Sequence, residues 1–264
     1  MNRTLCLFAC LLIGCGPDLK EKEVGVAAKK EELFALQLLR AYVIDGTSNT
    51  RASNTIISTI VDKSATFGAV YEEGPDWNCS NCEEITERVA NRICGEMRLQ
   101  LFRGFAVYGY SRGAFMVHEA ALRAFARCPD AFDVPGKPRE ISNKYLFAGF
   151  FDAVETNIWN YSKTMPANTR WLHLHRANTL NGTTATAICP WWIGMPTFGL
   201  GCFAWVNAAS AAFNTQFFNG GAGWNQPFSA HPELHHDEFG YMYRDQLMSL
   251  MRGAANGSGN FLNP

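Results

Sequence analysis

Phe105-Ala106-Val107-Tyr108-Gly109-Tyr110-Ser111-Arg112-Gly113-Ala114-Phe115 is the stretch on which the fold turns. Its centre, Gly109 to Gly113, reads G-x-S-x-G. The apolar run Phe105–Tyr108 before it has the character of a buried strand. After it, Phe115, His118, Leu122 and Phe125 fall at i, i+3, i+7 and i+10, which predicts a helix. A serine between the two sits on a sharp strand-to-helix turn, where small residues two before and two after let the chain segments pass closely. The helix N-terminus then faces the hydroxyl and favours the negative charge that develops in acyl transfer. The pentapeptide by itself is common. The strand before it and the helix after it make Ser111 a candidate nucleophile.

Working outward, the mostly apolar segment from Ala35 ends in Tyr42-Val43-Ile44, read as a first core strand. Asp45-Gly46-Thr47-Ser48-Asn49 follows as a turn of small polar residues. Ser53 reads as the N-cap of a helix carrying Ile56, Ile57, Ile60 and Val61. Val70-Tyr71 is a short strand. Glu83–Leu101 is a helix with Ile85, Val89 and Ile93 on one face. Tyr145–Phe151 is a continuous apolar run ending at Asp152, as buried parallel strands are. Arg170–His175 alternates as a further strand, and Tyr241–Met251 is the last helix. Strands separated by helices predict an α/β fold with a mainly parallel sheet flanked by helices.

A length of 264 residues with 47% hydrophobic content suits one such domain, placed at 35–252 with a loose tail at 253–264. The net charge of −1 and the lack of a basic cluster argue against a nucleic-acid partner. Arg3 and the apolar stretch Leu5–Ile13 have the form of an export signal too short to span a bilayer. It ends Leu12-Ile13-Gly14-Cys15, which resembles the bacterial lipobox. The expectation is a signal peptide at 1–14, a lipid on Cys15, a charged tether at 15–34, and a membrane-anchored protein of the bacterial cell envelope. Past Cys15 stand Cys79, Cys82, Cys94, Cys128, Cys189 and Cys202. An oxidising compartment favours disulfides among them, and six cysteines allow fifteen pairings. Cys79-Ser80-Asn81-Cys82 has no second pair at zinc spacing, so neither zinc nor redox chemistry is expected there. No metal and no organic cofactor is called for.

A nucleophilic serine needs a base and a group that orients the base. Asp152 stands at the C-terminal end of a core strand, where sites gather in open α/β sheets, although an Asp there can simply cap a turn. The histidines after it are His173, His175, His231, His235 and His236. His173 and His175 lie within a strand and read as structural. His231, His235 and His236 lie in a Pro-containing loop before the last helix, the right place for the base. Spacing does not choose between His235 and His236.

These segments together resemble the α/β-hydrolase family that includes the type VI secretion phospholipase effectors with a G-F-S-R-G-A elbow. Tyr42–Asn49 is similar to that family's opening strand and D-G-T-x-N turn, and Val70–Gly74 to its short strand ending in Gly. Gly109–Ala114 is similar to its elbow, Phe150–Val154 to its F-D-T-V acid segment, and Pro232–Asp237 to its P-G-x-H-S-D segment. The resemblance implies a Ser111–Asp152–His235 triad, because His235 fills the position of the family's histidine. The oxyanion would then be met by the N–H of Arg112 and by one from the turn at Gly46 and Thr47, while the Arg112 side chain either pairs with Asp45 or faces solvent. The family's Gly is Glu233 here, and secreted effectors of this kind usually travel without a signal peptide.

Ala187–Trp205 holds three Trp, two Phe, two Pro, three Gly and no charge. It lies between acid and base in sequence, where such hydrolases insert a lid. Trp191 and Trp192 would meet an acyl chain or bilayer interface, and a Cys189–Cys202 disulfide would staple the segment. The expected activity is that of a serine esterase or lipase, phospholipase-like, acting on acyl esters. The alternative is a non-catalytic surface lipoprotein, a binding module on a hydrolase fold. Oligomeric state is left open.

Overall fold

The computed structural model describes residues 38–64, 68–100, 102–154, 161–179, 215–257 and 261–263. The expected signal and tether with Cys15, and the aromatic segment with Cys189, Trp191, Trp192 and Cys202, lie outside the described residues.

Six strands form one all-parallel sheet: β1 Leu38–Ile44, β2 Ala69–Glu72, β3 Phe102–Tyr110, β4 Tyr145–Phe151, β5 Thr164–Arg176 and β6 Asn219–Phe228. Their spatial order is β2-β1-β3-β4-β5-β6. The helices are α1 Ile56–Lys63, α2 Cys82–Arg98, α3 Arg112–Arg127, α4 His236–Phe239 and α5 Arg244–Asn256. Successive apolar residues of the central strands go to opposite faces of the sheet, and both faces are covered. On one face Tyr42, Ile44, Phe105, Val107 and Phe150 pack with Ile85, Val89 and Ile93 of α2 and Phe115 and Val117 of α3. On the other, Val43, Ala106, Tyr108, Phe147 and Leu172 pack with Ile57 and Ile60 of α1 and Leu247, Met248 and Met251 of α5. The fold is therefore the expected α/β sandwich of helix, sheet and helix.

The chain steps from β1 to β2 at one edge, then returns past β1 to build β3 through β6. The order reverses between β1 and β3, which opens a crevice at their C-terminal ends. Ile44 lies abreast of Gly109, Tyr110 of Phe151, and Phe151 of Leu174. The register thus brings Asp45, Ser111, Asp152 and Arg176, the residues that follow or end these strands, to one rim of the sheet.

Two sequence expectations are corrected and one strand is added. The helix expected from Ser53 begins at Ile56 with Thr55 as N-cap, and Ser53 ends a short 3₁₀ turn, Arg51–Ser53. Asn219–Phe228 is a strand that no alternation announces: it is Gly-rich, and only Phe228 in it is buried. It is ordered by pairing with β5, and it ends the strand order, where Pro227 costs no ladder hydrogen bond. The last helix runs through Gly253 to Asn256, so the tail begins later than expected.

Of the cysteines described, Cys79 pairs with Cys82 and Cys94 with Cys128, at Cα–Cα separations of 5.0 and 5.9 Å. The second pair ties α2 to the C-terminal end of α3.

Candidate active site

Ser111 occupies the junction of β3 and α3. Its backbone is in the left-handed half of conformational space (φ 56°, ψ −129°), a strained position for a residue with a side chain. The flanking glycines make the turn sterically feasible. A Cβ on Gly109 would lie 2.6 Å from the Gly113 carbonyl oxygen, and one on Gly113 would lie 2.5 Å from the Ile44 carbonyl oxygen. Glycine at both positions lets α3 begin directly against the end of β1. The Ser111 N–H donates to the Phe151 carbonyl at 2.9 Å, which fastens the elbow to β4.

Asp152 follows β4 with φ 41° and is wholly buried. Its N–H donates to the Leu174 carbonyl at 2.7 Å. The next N–H, of Ala153, donates to His173 Nε2 at 3.0 Å, while His173 Nδ1 meets Asn225 Oδ1 at 2.8 Å. His173 is thus a structural histidine that supports the acid turn. His175 Nδ1 lies 2.7 Å from the Arg176 carbonyl oxygen, a local backbone contact.

The histidine set against Ser111 and Asp152 is His236, not the expected His235. His236 Nε2 lies 2.7 Å from Ser111 Oγ, and its Nδ1 lies 2.7 Å from Asp152 Oδ2. The reason is local. The backbone at His235 is extended (φ −89°, ψ 165°), so successive side chains alternate. Leu234 and His236 turn inward and are buried; His235 is only half-buried. His235 serves as N-cap of α4, its N–H donating to Glu238 Oε2 at 3.0 Å. Tyr110, the residue before Ser111, fixes the loop from within the sheet. Its hydroxyl donates to the His236 carbonyl at 2.5 Å, and its ring stacks on the imidazole with centroids 5.4 Å apart. His231 is not part of this group; it stacks on Tyr243.

Electrostatics set the resting proton positions. Burial holds the His236 imidazole below its ordinary pKa, against the opposing hydrogen bond and charge of Asp152. Burial alone would raise the Asp152 carboxyl, but the hydrogen bond from His236 and the positive charge of Arg176 outweigh it and keep it low. The neutral imidazole therefore donates Nδ1–H to an ionised carboxylate and presents Nε2 to the serine hydroxyl.

Asp152 has further partners. Arg176 Nε is 2.5 Å from Asp152 Oδ2, with both side chains at 0% exposure. Thr215 Oγ1 donates to Asp152 Oδ1 at 2.8 Å and receives Arg176 Nη2 at 3.0 Å. Arg176, Thr215 and Tyr110 were not legible as site residues. Arg176 alone carried a signal, since it stands at the C-terminal end of a strand by the same rule that singled out Asp152.

The oxyanion expectation is partly redrawn. Gly46 N–H donates to the Asp45 carboxylate at 2.7 Å, so it is occupied and does not serve as the turn's donor. Thr47 lines a cavity of about 120 Å³ together with Ser111 and His236, and its Oγ1 is buried with no partner among the described residues. Arg112 follows Ser111 as the first residue of α3, which puts its N–H at the helix start beside the nucleophile. Its side chain does not pair with Asp45. It donates to the carbonyls of Asp76 and Trp77 at 3.3 and 3.2 Å. Asp45 is satisfied otherwise, by Thr55 Oγ1 at 2.7 Å and the Tyr71 hydroxyl at 3.1 Å as well as Gly46. The exposed rings of Trp77 and Tyr241 border the same cavity. Among the described residues, no group of three His, Cys, Asp or Glu side chains could hold a metal ion, and no helix is long and apolar enough to cross a membrane.

No protein-family model matches the sequence, and no curated protein matches it. Solved structures do. An esterase 2 of Thermogutta terrifontis, phosphorylated by paraoxon, is 14% identical with a TM-score of 0.43, over 86% of this chain and 85% of that one. A cutinase-like protein from a Cryptococcus species is 11% identical with a TM-score of 0.42, over 86% and 97%. An uncharacterized protein from Pseudomonas aeruginosa is 11% identical with a TM-score of 0.34; 61% of this chain is covered, and only 39% of that chain. The all-parallel sheet, the strand-order reversal beside β3 and the strand–serine–helix elbow give this chain an α/β-hydrolase-like fold.

Proposed function

We propose that the chain is a serine ester hydrolase that works through an acyl-enzyme. The observation that carries this reading is the unbroken chain Ser111 Oγ–His236–Asp152, closed by two contacts of 2.7 Å. In the proposed reaction His236 Nε2 takes the hydroxyl proton as Ser111 Oγ attacks the ester carbonyl. Asp152 holds the tautomer and stabilises the imidazolium. The N–H of Arg112 and a donor from the turn at Thr47 meet the oxyanion, each worth about 3–4 kcal/mol of barrier. The imidazolium then protonates the leaving alcohol, and water repeats the sequence to release the acid.

The finer reading is a lipid ester, phospholipid included, hydrolysed at a membrane. It is supported by the uncharged aromatic segment Ala187–Trp205 and by the lipobox-like Gly14-Cys15. A fluorophosphonate probe tests the chemistry: a single covalent adduct, mapped to Ser111 and absent from Ser111→Ala, is the expected result. A folded protein that takes up no probe and hydrolyses no ester would favour the non-catalytic binding module instead. Fatty-acid labelling lost in Cys15→Ser tests the anchor separately, and labelling that persists would remove it.

A further inference from the structure

Arg176 is among the largest wholly buried side chains described, and the sheet spends it against the carboxylate of the proposed triad. A buried guanidinium is costly unless it is paired and hydrogen-bonded. Here Nε lies 2.5 Å from Asp152 Oδ2, the same oxygen that accepts from His236 Nδ1 at 2.7 Å. Nη2 reaches Thr215 Oγ1 at 3.0 Å and the Thr179 carbonyl at 3.5 Å. Thr215 in turn donates to Asp152 Oδ1. An acid that only had to orient an imidazole would not need a cation on the oxygen facing it.

We propose that Arg176 is a positioning residue of the active site: by sharing Asp152 Oδ2 with His236 it offsets the carboxylate's charge and keeps the imidazole a neutral base in acidic solution. This rests on the serine-hydrolase reading above. The physical argument is one of competing charges. A lone carboxylate raises the pKa of the imidazole it touches, which leaves less of the base free below neutrality. A fixed positive charge on that same carboxylate oxygen works in the opposite direction. It also holds the carboxylate ionised despite burial, so that the tautomer of His236 does not change as the pH falls.

The other charged or titratable groups near the pair are few among the described residues. Tyr110 stacks on the imidazole from β3, and burial pushes its phenol far up, so it stays neutral. Asp237, from the same helix as His236, adds a negative charge that favours the imidazolium. His173 and His175 stand in β5 before Arg176, and burial pushes both imidazoles down, that of His173 to about 4. Burial is the largest cause of the low His236 pKa; Arg176 adds to it, while Asp152 and Asp237 oppose it.

The experiment is the pH dependence of fluorophosphonate reaction and of nitrophenyl acetate kcat/KM, in the wild type, Arg176→Gln and Arg176→Lys. The wild-type acid limb should lie below pH 6.5, the ordinary histidine value. Loss of the charge in Arg176→Gln should move that limb up by about one pH unit or more, as expected for a charge lost within 4–6 Å. Arg176→Lys keeps the charge and should keep the limb near its wild-type position, even if the plateau falls. A role in packing alone would lower the plateau of both variants and leave both limbs in place, and that result overturns the proposal. So does a wild-type limb at or above 6.5, which needs no variant to fold. A wild type that never reacts with the probe overturns the serine-hydrolase reading and this inference with it. A wild type that reacts, with an Arg176→Gln limb that does not move, overturns this inference alone.

Discussion

His236→Ala and His235→Ala, made side by side, test the geometry of the base directly. His236 makes both contacts of the relay, at 2.7 Å to Ser111 Oγ and 2.7 Å to Asp152 Oδ2, so its removal leaves the serine with no proton acceptor. Groups that act as a unit in such a triad fail together, and loss of the base costs about 10⁶-fold in kcat. That corresponds to about 8 kcal/mol of barrier. The same truncation removes two buried hydrogen bonds but leaves Asp152 its ion pair with Arg176 and its bond from Thr215. Stability should therefore fall by only about 1–3 kcal/mol. For a domain of this size that is a drop in Tm of about 2–12 °C. His235→Ala keeps the backbone N–H that donates to Glu238, and the side chain it removes is half-buried, so stability should stay within about 1 kcal/mol. Activity should stay within a few-fold. Probe labelling, nitrophenyl acetate hydrolysis and thermal unfolding on the three proteins give all the numbers. An inactive, folded His235→Ala beside an active His236→Ala would refute the assignment.

The remaining predictions concern the turn, acid stability, the cysteines and the aromatic segment. A Cβ on Gly46 would lie 2.7 Å from Tyr110 Cδ1, so Gly46→Ala should displace the turn that carries Thr47 and lower kcat by about 10²-fold, while Thr47→Val, which keeps the backbone N–H, should lose less than tenfold. Burial pushes His118 and His173 from 6.5 down to about 4, and the folded state then refuses protons that the unfolded chain takes up. Stability should be at its full value above pH 6.5 and fall as the pH drops toward 4, by about 2 kcal/mol per histidine at pH 5, read as a shift in the urea midpoint; a flat midpoint would contradict it. Removing the Cys94–Cys128 link, whose partners are 34 residues apart, should cost about 4 kcal/mol by the chain-entropy model, measured as the Tm difference between wild type and the double Ser variant. With Cys79, Cys82, Cys94 and Cys128 paired, unreduced peptide mapping should find Cys189 joined to Cys202, and Trp191→Ala with Trp192→Ala should reduce activity on vesicles far more than on a soluble ester; equal losses would remove the lid reading.

Much of this protein is determined within short windows of its sequence. The strand before Ser111 and the helix after it are each local patterns, apolar continuity and a near-3.6 repeat, and both stand where the pattern places them. Gly109 and Gly113 announce the elbow because only their missing Cβ atoms let α3 start against Ile44. The apolar runs that become β1 and β4 bring Asp45 and Asp152 to the ends of core strands, so the acid was legible too. Tertiary structure alone decided the rest. His235 and His236 are one residue apart in a loop whose phase no periodicity sets; the inward burial of Leu234 and the bond from Tyr110 to the His236 carbonyl choose between them. Strand β6 has no apolar alternation to betray it and exists because β5 supplies its hydrogen-bonding partner. Arg176 looks like an ordinary strand-end residue until the sheet register sets it against Asp152. Its role, like that of Thr215 63 residues from Asp152, arises from contacts between segments far apart in the chain, and pattern within a segment does not encode which distant segment will lie beside it.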